Sequence, residues 1–240
     1  MSSYDRIVGA LENLGHHVCD ETVANILRRH GIRPAPERRQ GATWKEFIAS
    51  HREVLAATDF FTTEVWTLRG LVTYYVLFFI DIASRKVHVA GLTPHPHQEW
   101  MSQIARNVTM EDWGFLRGFR LLIHDRDSKF CARFRAVLRS GGVRSVKLPV
   151  RSPNLNAFAE RWVRSVKQEC LSKLILFGEG SLRRALDQYL AHYHHERNHQ
   201  GKGNALLEPR PADRVGESSG PIDCRKRLGG LLNFYYRRAA

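Results

Sequence analysis

Three consecutive β-rich segments constrain the fold of this chain more than any other feature. Residues 54–61, 71–82 and 86–92 are rich in β-branched and aromatic residues. A turn at Ser84 and Arg85 separates the second segment from the third. This order predicts an antiparallel three-stranded meander.

The sequence after the meander alternates between helical and strand patterns. We predict helices at residues 99–110, 129–140, 154–173 and 181–196, a short apolar strand of the buried kind at 121–124, and a fifth strand at 145–149. A meander followed by this alternation predicts an α/β domain with a mixed five-stranded sheet and helices on both faces.

A small helical segment, residues 1–33, precedes this domain. Residues 4–14 and 21–30 have amphipathic patterns, with Gly15 between them and Asp20 placed as an N-cap for the second helix. Two short helices joined by a glycine-containing turn suit a partial helix-turn-helix DNA module, and they suit a simple helical hairpin equally well.

Composition marks the remaining boundaries. Residues 34–43 are predicted to be a linker because prolines, glycine and arginines dominate this region. The main domain is assigned to residues 44–213. Residues 214–240 form a basic, aromatic tail, and the chain is expected to be irregular from Pro209 onward.

The charge of the chain points to a polyanionic partner. The 37 Lys and Arg residues exceed the 24 Asp and Glu residues, giving a net charge of +13. Ten Lys or Arg residues and two acidic residues lie between Arg133 and Lys173. Nucleic acid is the first expected partner and an anionic membrane surface the second, while a basic surface kept for solubility would spread the charge more evenly.

Cysteine usage and hydropathy indicate the compartment in which the protein is expected. The four cysteines are far apart and form no CxxC pair, which argues against a zinc site or a disulfide framework and favours the cytoplasm. The longest apolar run, residues 74–80, is too short to cross a bilayer, and the N-terminus lacks a signal-peptide pattern. With nucleic acid preferred as the polyanionic partner, no membrane association is expected.

The helix predicted at residues 154–173 has two distinct sides. One side carries Glu160, with Arg164 and Lys167 close to it in helical projection. Alone, this pattern suits an amphipathic helix with a solvated Glu–Arg pair. The other side is an apolar stripe with a spacing of four residues, formed by Phe158, Trp162, Val166 and Cys170.

Three acidic residues lie where an α/β sheet usually places its site. Asp59 is near the end of the first strand, Asp125 follows the strand at 121–124, and Glu160 is on the helix after the fifth strand. Each alone could be a cap or an ion-pair partner. Together, in a basic chain, they suit the oxygen ligands of Mg²⁺ or Mn²⁺.

At these residues the sequence resembles the DDE-type transposases and integrases, whose catalytic core is similar to that of retroviral integrases and has an RNase H-like fold. The resemblance covers roughly residues 43–213, and 34 residues separate Asp125 from Glu160, close to the family spacing. The matching motifs are TDFF at 58–61, FIDIASRKVHVAG at 79–91, IHDRDSKF at 123–130, SPNLNAFAERWVRSVKQEC at 152–170 and HYHHERNHQGKGNALLEPRP at 192–211.

The resemblance implies roles for individual residues. Asp59, Asp125 and Glu160 would be the catalytic, metal-binding triad. Asp127 stands where family members often have glycine, which makes it a rival to Asp125 for the second ligand. Asp81 matches a hairpin turn and is interpreted as structural.

The resemblance also implies a partner and a reaction. Lys167 matches a position that contacts the DNA end, and Arg164 and Arg161 are expected to bind DNA phosphates beside it. The chain would cleave double-stranded DNA at the ends of a mobile element and join the freed 3′-hydroxyl to target DNA, as an oligomer on DNA.

Two other interpretations remain open at this point. The chain begins close to the core, so it could be a truncated, non-catalytic DNA-binding relic of a transposase. An RNase H-like nuclease acting on hybrids is less favoured, because the integrase motifs match more closely.

Overall fold

A computed structural model describes residues 4–32, 44–148, 157–213, 215–216 and 218–237. The chain divides into two compact units, Met1–Ser50 and His51–Ala240. The predicted linker at 34–43 lies outside the described residues.

The first unit is helical, as its amphipathic patterns predict. Helix α1 spans Asp5–Glu12 and packs against α2, Asp20–Arg29, which buries Val23 and Ala24. Helix α3 follows at Trp44–His51. Asp20 is not the N-cap, because it is already the first helical residue of α2; its carboxylate still lies near the positive end of the helix dipole.

The second unit is built on a mixed five-stranded sheet. Its strands are β1 (Leu55–Thr67), β2 (Gly70–Asp81), β3 (Val87–Thr93), β4 (Leu121–His124) and β5 (Arg144–Lys147), and their order is β3-β2-β1-β4-β5. The first three strands pair antiparallel, whereas β4 pairs parallel with both β1 and β5. The predicted sheet is confirmed.

Helices cover both faces of this sheet. They are α4 (Gln98–Val108), α5 (Ala132–Ser140), α6 (Ala157–Glu169) and α7 (Gly178–His195). Helices α4 and α5 share a buried core with strand residues including Leu77 and Phe79. Helices α6 and α7 contact the sheet, and Trp162 of α6 packs on Phe78. Strand order and layers are those of the predicted RNase H-like fold.

No helix in the described ranges combines the length and apolarity that a membrane crossing requires.

Most elements differ from their predicted bounds at one or both ends, and in two of them contacts in the structure explain the difference. Strand β1 was expected to end at Phe61 but continues to Thr67, because its alternation continues and the whole segment pairs with β2. The helix expected from Lys129 begins at Ala132, because the carboxylate of Asp127 accepts a hydrogen bond from the Lys129 amide, and its carbonyl accepts one from Phe130.

The expectation of an irregular chain after Pro209 was wrong. Strands β6 (Ile222–Arg227) and β7 (Leu232–Arg237) form an antiparallel hairpin that contacts α7. Arg227 donates two hydrogen bonds to the Glu196 carboxylate, at 2.6 and 2.7 Å. These long-range ion pairs cannot be read from local sequence, which explains why the hairpin was missed.

Candidate active site

The pairing of β1 with β4 brings Asp59 and Asp125 to neighbouring positions in the sheet. The parallel pairing of β1 with β4 matches Ala56 with Leu122 and Ala57 with Ile123. Asp59 lies two residues after Ala57, and Asp125 lies two residues after Ile123, directly after the end of β4. Asp125 therefore follows its strand as predicted, whereas Asp59 lies within β1 and not near its end, because β1 continues to Thr67.

Asp59 lies on the side of the sheet that α6 covers. It pairs across the strands with Phe78, which contacts Trp162, and Phe61 of the same strand also contacts Trp162. Its Oδ1 accepts a hydrogen bond of 2.8 Å from the amide of Phe60.

The folded protein disfavours the charged form of the Asp59 carboxyl. Burial, followed by the nearby carboxylates of Asp125, Glu160 and Asp127, raises its pKa to about 6, although the hydrogen bond from Phe60 opposes the shift. All four acidic residues therefore act on one region, which is the arrangement expected of a site for a cation.

A turn after β4 distinguishes Asp125 from its rival. The Asp125 carboxylate accepts a hydrogen bond from the amide of Asp127 at 3.0 Å. Asp127 instead pairs with the ammonium of Lys129 at 2.7 Å. Because its charge is already compensated, Asp127 is less suited than Asp125 to bind a cation. Lys129, which we did not single out from the sequence, lies in the matching motif at 123–130.

A buried histidine fixes the strand end that carries Asp125. His124 is fully buried, with Nδ1 against the carbonyl of Asp125 at 2.5 Å and Nε2 against the Ser145 hydroxyl at 2.6 Å. A carbonyl only accepts, so Nδ1 carries the proton and Nε2 accepts from Ser145. Burial lowers the pKa of His124, which keeps the ring neutral in this arrangement.

Helix α6 presents Glu160 from its first turn. Trp162, Val166 and Cys170 are buried, as the stripe predicts, while Glu160 is exposed. Phe158 is only half-buried and lies under the guanidinium of Arg85. The anchored stripe therefore fixes the face of α6 that carries Glu160.

The three predicted DNA-binding cations lie in two places. Lys167 has its ammonium 5.8 Å from the ring of Phe61, two residues beyond Asp59 on β1. Arg164 is exposed on the same helix. Arg161, on the same helix, lines a cavity with Arg85 and Lys202.

Within the part of the chain that the structure describes, no three His, Cys, Asp or Glu side chains form a ready metal-binding group. The donor chemistry nevertheless fits a divalent cation. Asp59, Asp125 and Glu160 offer hard oxygen ligands. Burial and, after it, the neighbouring carboxylates raise the pKa of Asp59, and a bound cation would offset both. These residues are the candidate ligands of Mg²⁺ or Mn²⁺.

The strand order and the helical layers are those of the predicted RNase H-like fold. One family model matches part of this chain. An integrase core domain family matches residues 142–205, the segment that contains Glu160, Arg161, Arg164 and Lys167. The predicted resemblance to an integrase or transposase core is thereby confirmed for this segment. No curated protein matches the chain.

Solved structures similar to this chain include retroviral integrases. The catalytic core of BIV integrase is 16% identical, covers 62% of this chain and 88% of its own, and has a TM-score of 0.43. A simian T-cell lymphotropic virus intasome with PP2A regulatory subunit B56 gamma is 13% identical over 89% and 86%, with a TM-score of 0.46. The HTLV-2 integrase core with magnesium, in dimeric form, is 13% identical over 59% and 86%, with a TM-score of 0.44.

Proposed function

We propose that the chain is a DNA integrase or transposase of the DDE type. It would cleave a phosphodiester at the end of a mobile element and join the freed 3′-hydroxyl to target DNA. The observation that carries this proposal is the pairing of β1 with β4, which sets Asp59 of β1 beside Asp125 at the end of β4. Burial, with the nearby charges of Asp125 and Glu160, raises the pKa of Asp59.

The acidic residues would act as ligands. Asp59, Asp125 and Glu160 would hold Mg²⁺ or Mn²⁺, and the bound cation would supply activation of the attacking oxygen and stabilisation of the leaving oxygen. The neutral His124 would keep Asp125 at the strand end, and the Trp162 stripe would fix the helix whose exposed face carries Glu160.

The cations near the triad would position the DNA. Lys167 and Arg164 would bind backbone phosphates on the face that carries Glu160 and so place the scissile bond over the carboxylates. The net charge of +13 supports a double-stranded DNA partner. Because two DNA ends must be joined to one target, we propose that the protein works as a homo-oligomer on DNA.

Substitution of Glu160 tests the catalytic assignment. In Glu160→Gln the side chain keeps its size but loses the charge of a ligand, so cleavage and joining of terminal oligonucleotides should fall by at least a hundredfold while duplex binding survives. Gel assays with Mg²⁺ and with Mn²⁺ measure both activities. Glu99→Gln, an exposed glutamate in the first turn of α4, is the matched control and should remain active.

The outcomes separate the alternatives. Full activity in Glu160→Gln would rule out this catalytic role. Wild-type protein that binds DNA and cuts it with neither cation would favour a DNA-binding relic. Asp125→Asn and Asp127→Asn, compared in the same assay, assign the second ligand: only the Asp125 variant should be inactive.

A further inference from the structure

A basic cavity lies beside α6, apart from the acidic residues of the candidate active site. Its volume is about 450 Å³, and it is bounded by the β2–β3 turn, one side of α6 and the segment after α7. Four cationic side chains line it: Arg85, Arg161, Arg197 and Lys202. Among the described lining residues there is no carboxylate. This concentration of positive charge favours the binding of an anion.

Arg85 is the most strongly perturbed of these cations. Its guanidinium carbon lies 3.2 Å from the centre of the Phe158 ring, and its Nη1 is buried with no hydrogen-bond partner. A buried cationic donor without a partner is costly. Burial, then the charges of Arg52 and Arg161, lower the pKa of Arg85 to about 10.

The backbone at Arg85 shows that this placement is specified. Arg85 adopts a left-handed conformation, with φ of 72°, which is unfavourable for a residue with a side chain. The turn is held by Asp81, which accepts hydrogen bonds from the amide of Ala83 and the hydroxyl of Ser84. The turn therefore directs Arg85 onto Phe158.

The opposite wall of the cavity is also held by defined contacts. Arg197 forms two hydrogen bonds with the Glu169 carboxylate, at 2.6 and 2.8 Å, which fix its guanidinium. The buried His199 bonds through Nε2 to the carbonyl of Tyr193 at 2.8 Å. Arg161 and Lys202 also line the cavity, and both are exposed.

Neutral donors complete the lining. Ser165, Asn198 and Gln200 face the cavity together with the cations. Guanidinium, ammonium, amide and hydroxyl groups are the donors that recognise phosphate oxygens. We propose that this cavity binds a phosphate group, either of the DNA backbone or of a free phosphate or pyrophosphate.

The position of the cavity favours a DNA phosphate. Arg161 follows Glu160 directly in the chain, so α6 presents a carboxylate to the candidate active site and a cation to the cavity. A strand bound at the active site could thus be held by a second contact on the neighbouring side of the same helix. This part of the inference rests on the proposed function.

Two single substitutions test the cavity. Arg161→Ala and Lys202→Ala each remove one exposed cation, and Arg106→Ala removes an exposed cation from α4 as the matched control. Binding of a fluorescent duplex is measured by anisotropy over a range of salt concentrations, with EDTA and no divalent cation. Circular dichroism and melting temperature confirm that every variant is folded.

We expect each cavity variant to bind the duplex about tenfold more weakly than the control, with a salt dependence reduced by about one phosphate contact. A parallel titration with phosphate and pyrophosphate, read by melting temperature, distinguishes the source. A rise that Arg161→Ala abolishes, with duplex binding unchanged, assigns the cavity to a free phosphate.

Cavity variants indistinguishable from Arg106→Ala in both titrations would overturn the proposal. Because neither titration measures cleavage, a protein that never joins DNA strands can still show the cavity to be a phosphate site. Failure of the proposed function and failure of this inference are therefore separate results.

Discussion

At the scale of single residues, Asp59 carries a charge that the fold disfavours. Its pKa is raised from 3.8 to about 6, so the folded protein holds this proton more tightly than the unfolded chain does. Stability therefore falls as pH rises from about 3.8 through about 6, and the penalty is fully present at neutral pH. The free energy of unfolding is therefore lower when these carboxylates are charged and no cation is bound.

Removing the charge at Asp59 should stabilise the cation-free protein. Asp59→Asn keeps an oxygen for the hydrogen bond from Phe60 and removes the repulsion with Asp125 and Glu160. In EDTA at pH 7.5 its melting temperature should exceed that of the wild type by about 3 °C or more. Asp187→Asn, an exposed position on α7, should not change it.

Mg²⁺ should reverse the order of the two melting temperatures, so that the wild type becomes more stable than Asp59→Asn. The wild type gains stability by binding the cation, whereas Asp59→Asn has lost a ligand and should gain much less. Differential scanning fluorimetry with increasing Mg²⁺ measures the difference. Equal gains in both proteins would mean that Asp59 is not a ligand.

At the scale of elements, α6 depends on one tryptophan. Trp162 is 1% exposed, and its ring centre lies 4.3 Å from that of Phe78 and 5.7 Å from that of Phe61. Its indole nitrogen is buried without a hydrogen-bond partner, so the residue contributes by packing. The contact fixes α6, and with it Glu160, against strands β1 and β2.

Truncating this side chain should therefore destabilise the domain. Trp162→Ala is expected to lower the free energy of unfolding by about 3–5 kcal/mol, because it leaves a large cavity against the sheet. Trp113→Ala is the matched control, since Trp113 is 83% exposed, and it should change stability by less than about 0.5 kcal/mol. Urea unfolding measures both; equal losses would contradict the assigned role of the stripe.

Local sequence patterns were sufficient to predict the elements that depend only on their own residues. The strand at 121–124 was predicted to the residue, because three apolar residues and His124 stand between the charged residues Arg120 and Asp125. The stripe of α6 was predicted because helical periodicity is a local signal. The basic cavity was missed because Arg85, Arg161, Arg197 and Lys202 come from separate segments that only the folded chain brings together.

The sequence predicted which three acidic residues form the triad, but not how the sheet brings them together. Sequence placed Asp59 and Asp125 near strand ends, but the strand order and register were needed to set them beside each other. The preference for Asp125 gains a physical reason from the Lys129–Asp127 pair, a contact between residues that sequence alone leaves equivalent.

At the scale of the whole second unit, one buried carboxylate joins the hairpin to the core. Glu196 is 3% exposed and accepts hydrogen bonds from Arg225 and Arg227, while Arg225 also binds Asp213. Burial alone would raise the pKa of Glu196, but Arg227 and Arg225 outweigh it and lower the pKa to about 2.

Acid should therefore release the hairpin. The stabilisation from Glu196 is complete above its ordinary pKa of 4.5 and is lost as pH falls toward about 2. Hydrogen exchange of the β6 and β7 amides should accelerate across this window before the central sheet unfolds. In Glu196→Gln the amides should exchange rapidly already at neutral pH, and a hairpin that stays protected would contradict the proposed attachment.

The same carboxylate limits how this protein can diverge through mutation. Loss of Glu196 alone removes the carboxylate partner of Arg227 and leaves Arg225 with Asp213 only, and loss of Arg227 alone leaves a buried charge short of a partner. Lineages should therefore change positions 196, 213, 225 and 227 together or not at all. In related sequences we expect these four positions to covary, with neutral side chains replacing both arginines wherever Glu196 is absent.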